Sequence, residues 1–116
     1  MSDISASEAP SGRRITATKA EDLTINYEED GVLVVKELDK VLLSKSAWVT
    51  VLFKYVQWDR SKNDYGPERY SIRRYRKIDD EYRQQAIFTI SSKDQALKLI
   101  KALQQWVAPE AEAQAE

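Results

Sequence analysis

Arginine and tyrosine alternate closely in the segment RYSIRRYRK, residues 69–77. Guanidinium groups bind phosphates through paired hydrogen bonds, and planar side chains stack on unpaired bases. An extended strand points alternate side chains to one face, so Arg73 and Tyr75 share one face while Arg74 and Arg76 share the other. The pattern is typical of a surface that binds single-stranded nucleic acid, although a charged edge strand that resists aggregation would have the same composition.

A second group of candidate binding residues surrounds Trp58, which stands near the end of the aromatic run AWVTVLFKYVQWD, residues 47–59. Two cations follow in the Gly- and Pro-containing loop 60–68, and we expect Trp58 to stack on bases beside them. Trp48, at the start of the same run, can be interpreted either as core or as ligand-facing. The predicted nucleic-acid-binding residues are Lys54, Trp58, Arg60, Lys62, Arg73, Arg74, Tyr75 and Arg76.

This chain lacks side chains that most catalytic sites use. Cysteine and histidine are both absent, which removes thiol chemistry, the commonest metal ligand and the usual partner of a nucleophilic serine. The carboxylates at residues 79–81 are expected to form a turn, and Ser91 and Ser92 to cap a helix. No Gly-rich phosphate loop or metal-binding spacing occurs. We therefore predict a protein that is not an enzyme and has no cofactor, metal or small-molecule substrate.

Charge is distributed unevenly along the chain. The net charge of -1 combines an acidic segment 1–39, a basic segment 40–106 and an acidic segment 107–116. Polar composition predicts a disordered N-terminal tail over 1–26, and a proline followed by Ala and Glu predicts an acidic C-terminal tail over 108–116. The folded domain is then expected to span 27–107, with a basic surface suited to a polyanion.

Four strands and one helix are predicted within that domain. β-branched and aromatic runs favour strands at 31–38, 47–59, 68–78 and 82–91. Residues 91–106 have helical spacing of apolar residues after a capping box from Ser92 to Gln95. The expected fold is α+β: a four-stranded curved antiparallel sheet followed by one C-terminal helix, in the order ββββα. Because the strand 47–59 is apolar on both faces and one helix covers only one face, the second face is expected to meet another subunit or a ligand with stacking surfaces. The small size of the folded region favours a dimer.

The segments SKSAWVTVLFKYVQWD, YSIRRYRK and IFTISSKDQALKLIKAL resemble the transcriptional coactivator family called positive cofactor four, in particular its bacterial members. The resemblance covers roughly residues 41–104. It implies a homodimer that binds single-stranded or melted DNA. It also implies that Arg73 matches the arginine of the family's Ile-Arg motif, and that Trp58 matches the aromatic that ends the preceding strand. Arg76 falls near a family aromatic, which it replaces with a charge.

These observations together predict a homodimer that binds single-stranded DNA, with RNA as a second ligand, and has little sequence preference. A role as a transcription or DNA-maintenance cofactor would follow. The alternative is an adaptor whose sheet binds an acidic protein partner. The absence of an apolar signal region and of a long apolar run predicts a cytoplasmic protein that has no membrane partner, nucleoid-associated if bacterial.

Overall fold

A computed structural model describes residues 17–115, with side chains through residue 108. An antiparallel sheet is followed by one helix. The strands pair in the order β1-β2-β3-β5-β6, and β4 pairs with the end of β3. The elements are β1 (Tyr27–Glu29), β2 (Val32–Lys45), β3 (Trp48–Asp59), β4 (Asp64–Tyr65), β5 (Arg69–Ile78), β6 (Glu81–Ile90) and α1 (Lys93–Ala115).

The α+β class agrees with the prediction, but the predicted number of four strands is wrong, because the sheet has six. Two short strands, β1 and β4, were not expected. In addition, β2 continues to Lys45, beyond the end of the strand predicted at 31–38. Bulges in β2 at Leu38 and Leu43 each accommodate one extra residue. The strand therefore stays paired with β3 although its sequence does not alternate regularly.

The core lies on one face of the sheet, which we call the inner face. In β3 the side chains of Val49, Val51, Phe53 and Tyr55 are all buried there. Tyr75 of β5, which pairs with Val49, is buried beside them. The opposite or outer face carries the alternate residues of β3, from Trp48 to Trp58.

A strap of residues 17–26 covers this core. It includes a short 3-10 turn, Ala20–Asp22, and it buries Ala17, Ala20, Leu23 and Ile25 in the same cluster as the inner face of β3. These residues were predicted to belong to a disordered tail over 1–26, and for 17–26 that prediction is wrong. Residues 1–16 of the predicted tail lie outside the described residues. The burial of four apolar side chains explains why this polar segment has an ordered position.

Side chains of β2 hold the strap in place. Lys40 donates from Nζ to the carbonyl oxygens of Glu21 and Leu23. Glu37 accepts from the Thr24 hydroxyl at 2.6 Å and the backbone N–H of Ile25 at 3.3 Å. Lys45 forms an ion pair with Glu21. Polar groups of the strap that would otherwise lose water on burial are therefore satisfied by the sheet.

The helix α1 begins where the capping box was predicted. The Ser92 hydroxyl accepts from the backbone N–H of Gln95 at 3.1 Å, and the Gln95 side chain accepts from the backbone N–H of Ser91 at 2.6 Å. The helix then runs past Pro109 to Ala115, so the backbone at 108–115 is helical where an acidic tail was predicted. Its Ala-, Glu- and Gln-rich sequence has high helix propensity. Within residues 17–115, no helix is long and apolar enough to cross a membrane.

Most of the apolar surface of α1 is exposed. The helix contacts the sheet mainly at β6. Its apolar residues at helical spacing stay accessible, with Trp106 the most exposed at 72%. We call this surface the helix stripe, and it consists of Leu99, Ile100, Leu103 and Trp106.

Candidate nucleic-acid interface

Two arginines lie over a tryptophan on the outer face, where β3 begins. Trp48 pairs with Arg76 across β3 and β5, and its neighbour on the same face, Thr50, pairs with Arg74. The Arg74 guanidinium carbon is 4.3 Å from the centre of the Trp48 ring, and that of Arg76 is 5.4 Å away. We call these three residues the Trp48 cluster. Trp48 is half-buried and both arginines are exposed, so guanidinium planes and an indole are presented together.

A third arginine extends the cluster towards the edge of the sheet. Arg83 of β6 pairs directly with Arg76, and like charges opposite each other on neighbouring strands are unfavourable. Among the described ion pairs, Arg83 meets Glu81 at 3.7 Å, while neither Arg74 nor Arg76 is joined to a carboxylate. The arrangement favours an anionic ligand, because bound phosphates would relieve the repulsion.

The middle of the outer face is apolar. Leu52, Ile72 and Phe88 form one row across β3, β5 and β6, and Val41 of β2 continues it. Phe88 is 53% exposed and Val41 52%. The next row contains Tyr70, which pairs with Lys54. A base could therefore meet aromatic or apolar surface at several points between the two ends of β3.

The far end of the outer face carries the Trp58 cluster, which we define as Trp58, Tyr65 and Lys36. The rings of Trp58 and Tyr65 meet edge to face, with centres 5.0 Å apart. The Lys36 ammonium is 5.4 Å from the centre of the Tyr65 ring. Both rings are half-buried and Lys36 is exposed. The predicted aromatic site at Trp58 is thus built from two aromatic rings and a cation.

Two cations close to the Trp58 cluster already have acidic partners. Arg60 donates to Glu29 at 3.2 Å, and Lys54 meets Glu68 at 3.9 Å. Acidic Asp30 lines the same small depression as Trp58. The electrostatic attraction for phosphate is therefore weaker here than at the Trp48 cluster.

Lys62 is exposed in the loop after β3. Asp59 and Ser61 shape that loop, since the Ser61 hydroxyl donates to Asp59 at 2.6 Å and the Ser61 backbone N–H donates at 3.0 Å. The hydrogen bond from the Ser61 hydroxyl lowers the pKa of Asp59. The backbone N–H groups of Ser61 and Lys62 and the charge of Lys62 lower it further. Asp59 is thus ionised beside Lys62, and this loop has less net positive charge than Lys62 alone would provide.

The inner face holds the other two predicted residues of β5. Arg73 donates from Nε to the Ser71 hydroxyl at 3.2 Å and from an Nη atom to Gln84 at 3.0 Å. It lines a groove of about 710 Å³ between the strap and β6. Tyr75 is only 5% exposed, within the core. The prediction that Tyr75 stacks on bases is therefore wrong for this arrangement, because its ring already packs on Val49 and its neighbours.

The predicted residues thus separate into three places. Arg74 and Arg76 come together on the outer face, as the alternation of the strand indicated. Lys54, Trp58, Arg60 and Lys62 lie towards the other end of the outer face or in its loop, and Arg73 and Tyr75 lie on the inner face. Sequence reasoning did not include Arg83 and Phe88, and it left Trp48 open. The signal that identifies all three is the register between β3, β5 and β6.

In comparisons with known proteins, no family model, no curated protein and no solved structure matches the chain.

Proposed function

We propose that this protein binds single-stranded nucleic acid, DNA or RNA, with little sequence preference, and that the ligand lies on the outer face. The observation that carries the proposal is the Trp48 cluster, in which two exposed arginines lie over one tryptophan ring. Arginine holds phosphates without reading sequence, and an indole stacks on any base. Binding, and not catalysis, is the proposed activity.

The preference for single strands has a physical basis in this surface. The outer face is a broad sheet surface with aromatic and apolar side chains at its centre. Unpaired bases can lie against such a surface, whereas the bases of a duplex are stacked on one another and hidden. A duplex would offer only its phosphates to the arginines, so it should bind more weakly and with less dependence on Trp48.

We further propose that the protein is a homodimer and a member of the positive cofactor four family, acting in the cytoplasm as a transcription or DNA-maintenance cofactor. The helix stripe supports dimerisation, because four exposed apolar side chains on one helix face are unfavourable in water. A second copy of the same stripe would cover them. Sedimentation equilibrium should give twice the 13.4 kDa chain mass, and a monomer at micromolar concentration would contradict the dimer.

The test of the binding function compares a single-stranded oligonucleotide with the matching duplex in a gel shift over several salt concentrations. We expect tighter binding of the single strand, with log K falling linearly against log salt at about -0.7 for each phosphate contact. No binding to either ligand would contradict the proposal. In that case the adaptor function, in which the same arginines meet an acidic protein, becomes the better explanation.

A further inference from the structure

Trp48 and Trp58 lie at opposite ends of the same face of one strand. We propose that a single nucleic-acid strand runs along β3 on the outer face and contacts both at once. Its phosphates are held at the Trp48 cluster, and its bases stack at the Trp58 cluster. This inference rests on the proposed function. It adds the direction in which the nucleic acid runs, the number of nucleotides it needs, and a different role for each end of β3.

Length follows from strand geometry. Trp48 and Trp58 are separated by ten residues of β3, which span about 33 Å in a straight strand at about 3.3 Å per residue. A strand that keeps a stacked spacing of about 3.4 Å per nucleotide needs about ten nucleotides to cover this distance. Four nucleotides at that spacing reach only about 14 Å, so a tetranucleotide contacts one cluster at a time.

The different roles of the two ends follow from their ion pairs. At the Trp48 cluster the described ion pairs leave Arg74 and Arg76 without a carboxylate partner. At the other end Arg60 is paired with Glu29 and Lys54 with Glu68. A phosphate is therefore attracted more strongly to the first end, whereas a neutral base meets no penalty at the second. The two rows between them, which contain Phe88 and Tyr70, are partly exposed and provide a continuous path.

The experiment uses the three tryptophans of the chain as separate reporters. The double variant Trp58→Phe with Trp106→Phe leaves Trp48 as the only indole, and Trp48→Phe with Trp106→Phe leaves Trp58. Phenylalanine keeps an aromatic ring at each position, so both variants should fold and bind with reduced affinity, and a thermal melt checks folding. Each is titrated with dT4 and dT12 while tryptophan fluorescence is recorded, since it changes when a ligand contacts the indole or the groups around it.

We expect dT12 to change the fluorescence of both reporters with the same midpoint and to bind at least about 100-fold more tightly than dT4, because two linked contacts reinforce each other. If the clusters act separately, dT12 should bind only about ninefold more tightly than dT4, because it offers nine registers of four nucleotides. A fluorescence change at Trp48 alone, or a gain of ninefold or less, would overturn the bridging strand and leave outer-face binding intact. Absence of binding by both oligonucleotides would overturn the proposed function itself.

A second variant tests the charge assignment without touching a tryptophan. Glu29→Gln releases Arg60 from its ion pair, so phosphate can then bind at the Trp58 end. The salt slope for dT12 should become steeper by about 0.7, while a dT4 bound at the Trp48 cluster should show no change. An unchanged slope with dT12 would show that the strand does not reach this end.

Discussion

Arg73 and Arg74 are adjacent in sequence but lie on opposite faces of β5, so they form a matched pair for testing which face binds nucleic acid. Arg74 lies over Trp48 on the outer face. Arg73 is held by Ser71 and Gln84 on the inner face. Each is replaced by alanine, and oligo-dT affinity is measured between 50 and 200 mM salt. Both variants lose the same charge, so net charge alone cannot distinguish them.

The magnitude follows from counterion release. Loss of one phosphate contact reduces the steepness of log K against log salt by about 0.7 for a single strand. Over a fourfold change in salt, the affinity of the parent should therefore fall about 2.6-fold more than that of Arg74→Ala. Arg73→Ala should keep the parental slope, because its guanidinium contacts protein groups away from the outer face.

The effects of the two variants on folding stability should be reversed: Arg73→Ala should be destabilised and Arg74→Ala should not. Arg73→Ala removes a partner from Ser71, which is fully buried, and an unsatisfied buried hydroxyl costs about 1–3 kcal/mol. Each kcal/mol lowers Tm by about 4–8 °C in a domain of this size. Arg74 is exposed, so Arg74→Ala should leave Tm nearly unchanged. If Arg73→Ala flattens the slope while Arg74→Ala does not, nucleic acid binds the inner face and the reasoning above is refuted.

Three further predictions concern the strap, the helix and a turn. Leu23→Ala, which opens a cavity under the strap, should cost about 2–5 kcal/mol in a denaturant or thermal melt, whereas exposed Leu43→Ala should cost less than about 0.5 kcal/mol; equal losses would show that the strap is not part of the core. Leu103→Asp in the helix stripe should convert the proposed dimer into a monomer at micromolar concentration in sedimentation, and an unchanged dimer would place the interface elsewhere. Asp80→Gly should raise stability by about 1 kcal/mol, because Asp80 has a φ of 69° that glycine adopts without strain, and a lower Tm would contradict this account.

Local signals in the sequence predicted the elements that depend on neighbouring residues. The helix begins at the Ser92 cap because the cap and its partner Gln95 are only three residues apart. The turn between β5 and β6 forms at Asp79 and Asp80, both of which have positive φ, as a two-residue hairpin requires. Strand alternation likewise separated Arg73 from Arg74 correctly, because it is a property of the backbone.

The strap could not be predicted in this way. Its polar, Thr- and Ala-containing sequence is ordered by residues far along the chain, such as Lys40 and Glu37 of β2. The Trp48 cluster depends on the register of β3 with β5, and a long loop, which does not determine register, joins these strands. A surface that depends on such pairing can be predicted only when the paired strands and their register are known.

The bridge between Ala17 and Tyr82 has a consequence for the order of folding. During synthesis the strap leaves the ribosome before the strands that it covers, and the strand that fastens its start is the last of the sheet. Contacts between such distant parts of a chain slow folding, since a large loop must close before any contact forms. The start of the strap therefore stays unfastened until β6 is made, and Leu23 and Ile25 stay exposed to water until the strands that they cover are made. A nascent chain stalled before Tyr82 should accordingly be sensitive to protease at the strap, and release of the full chain should make the strap resistant.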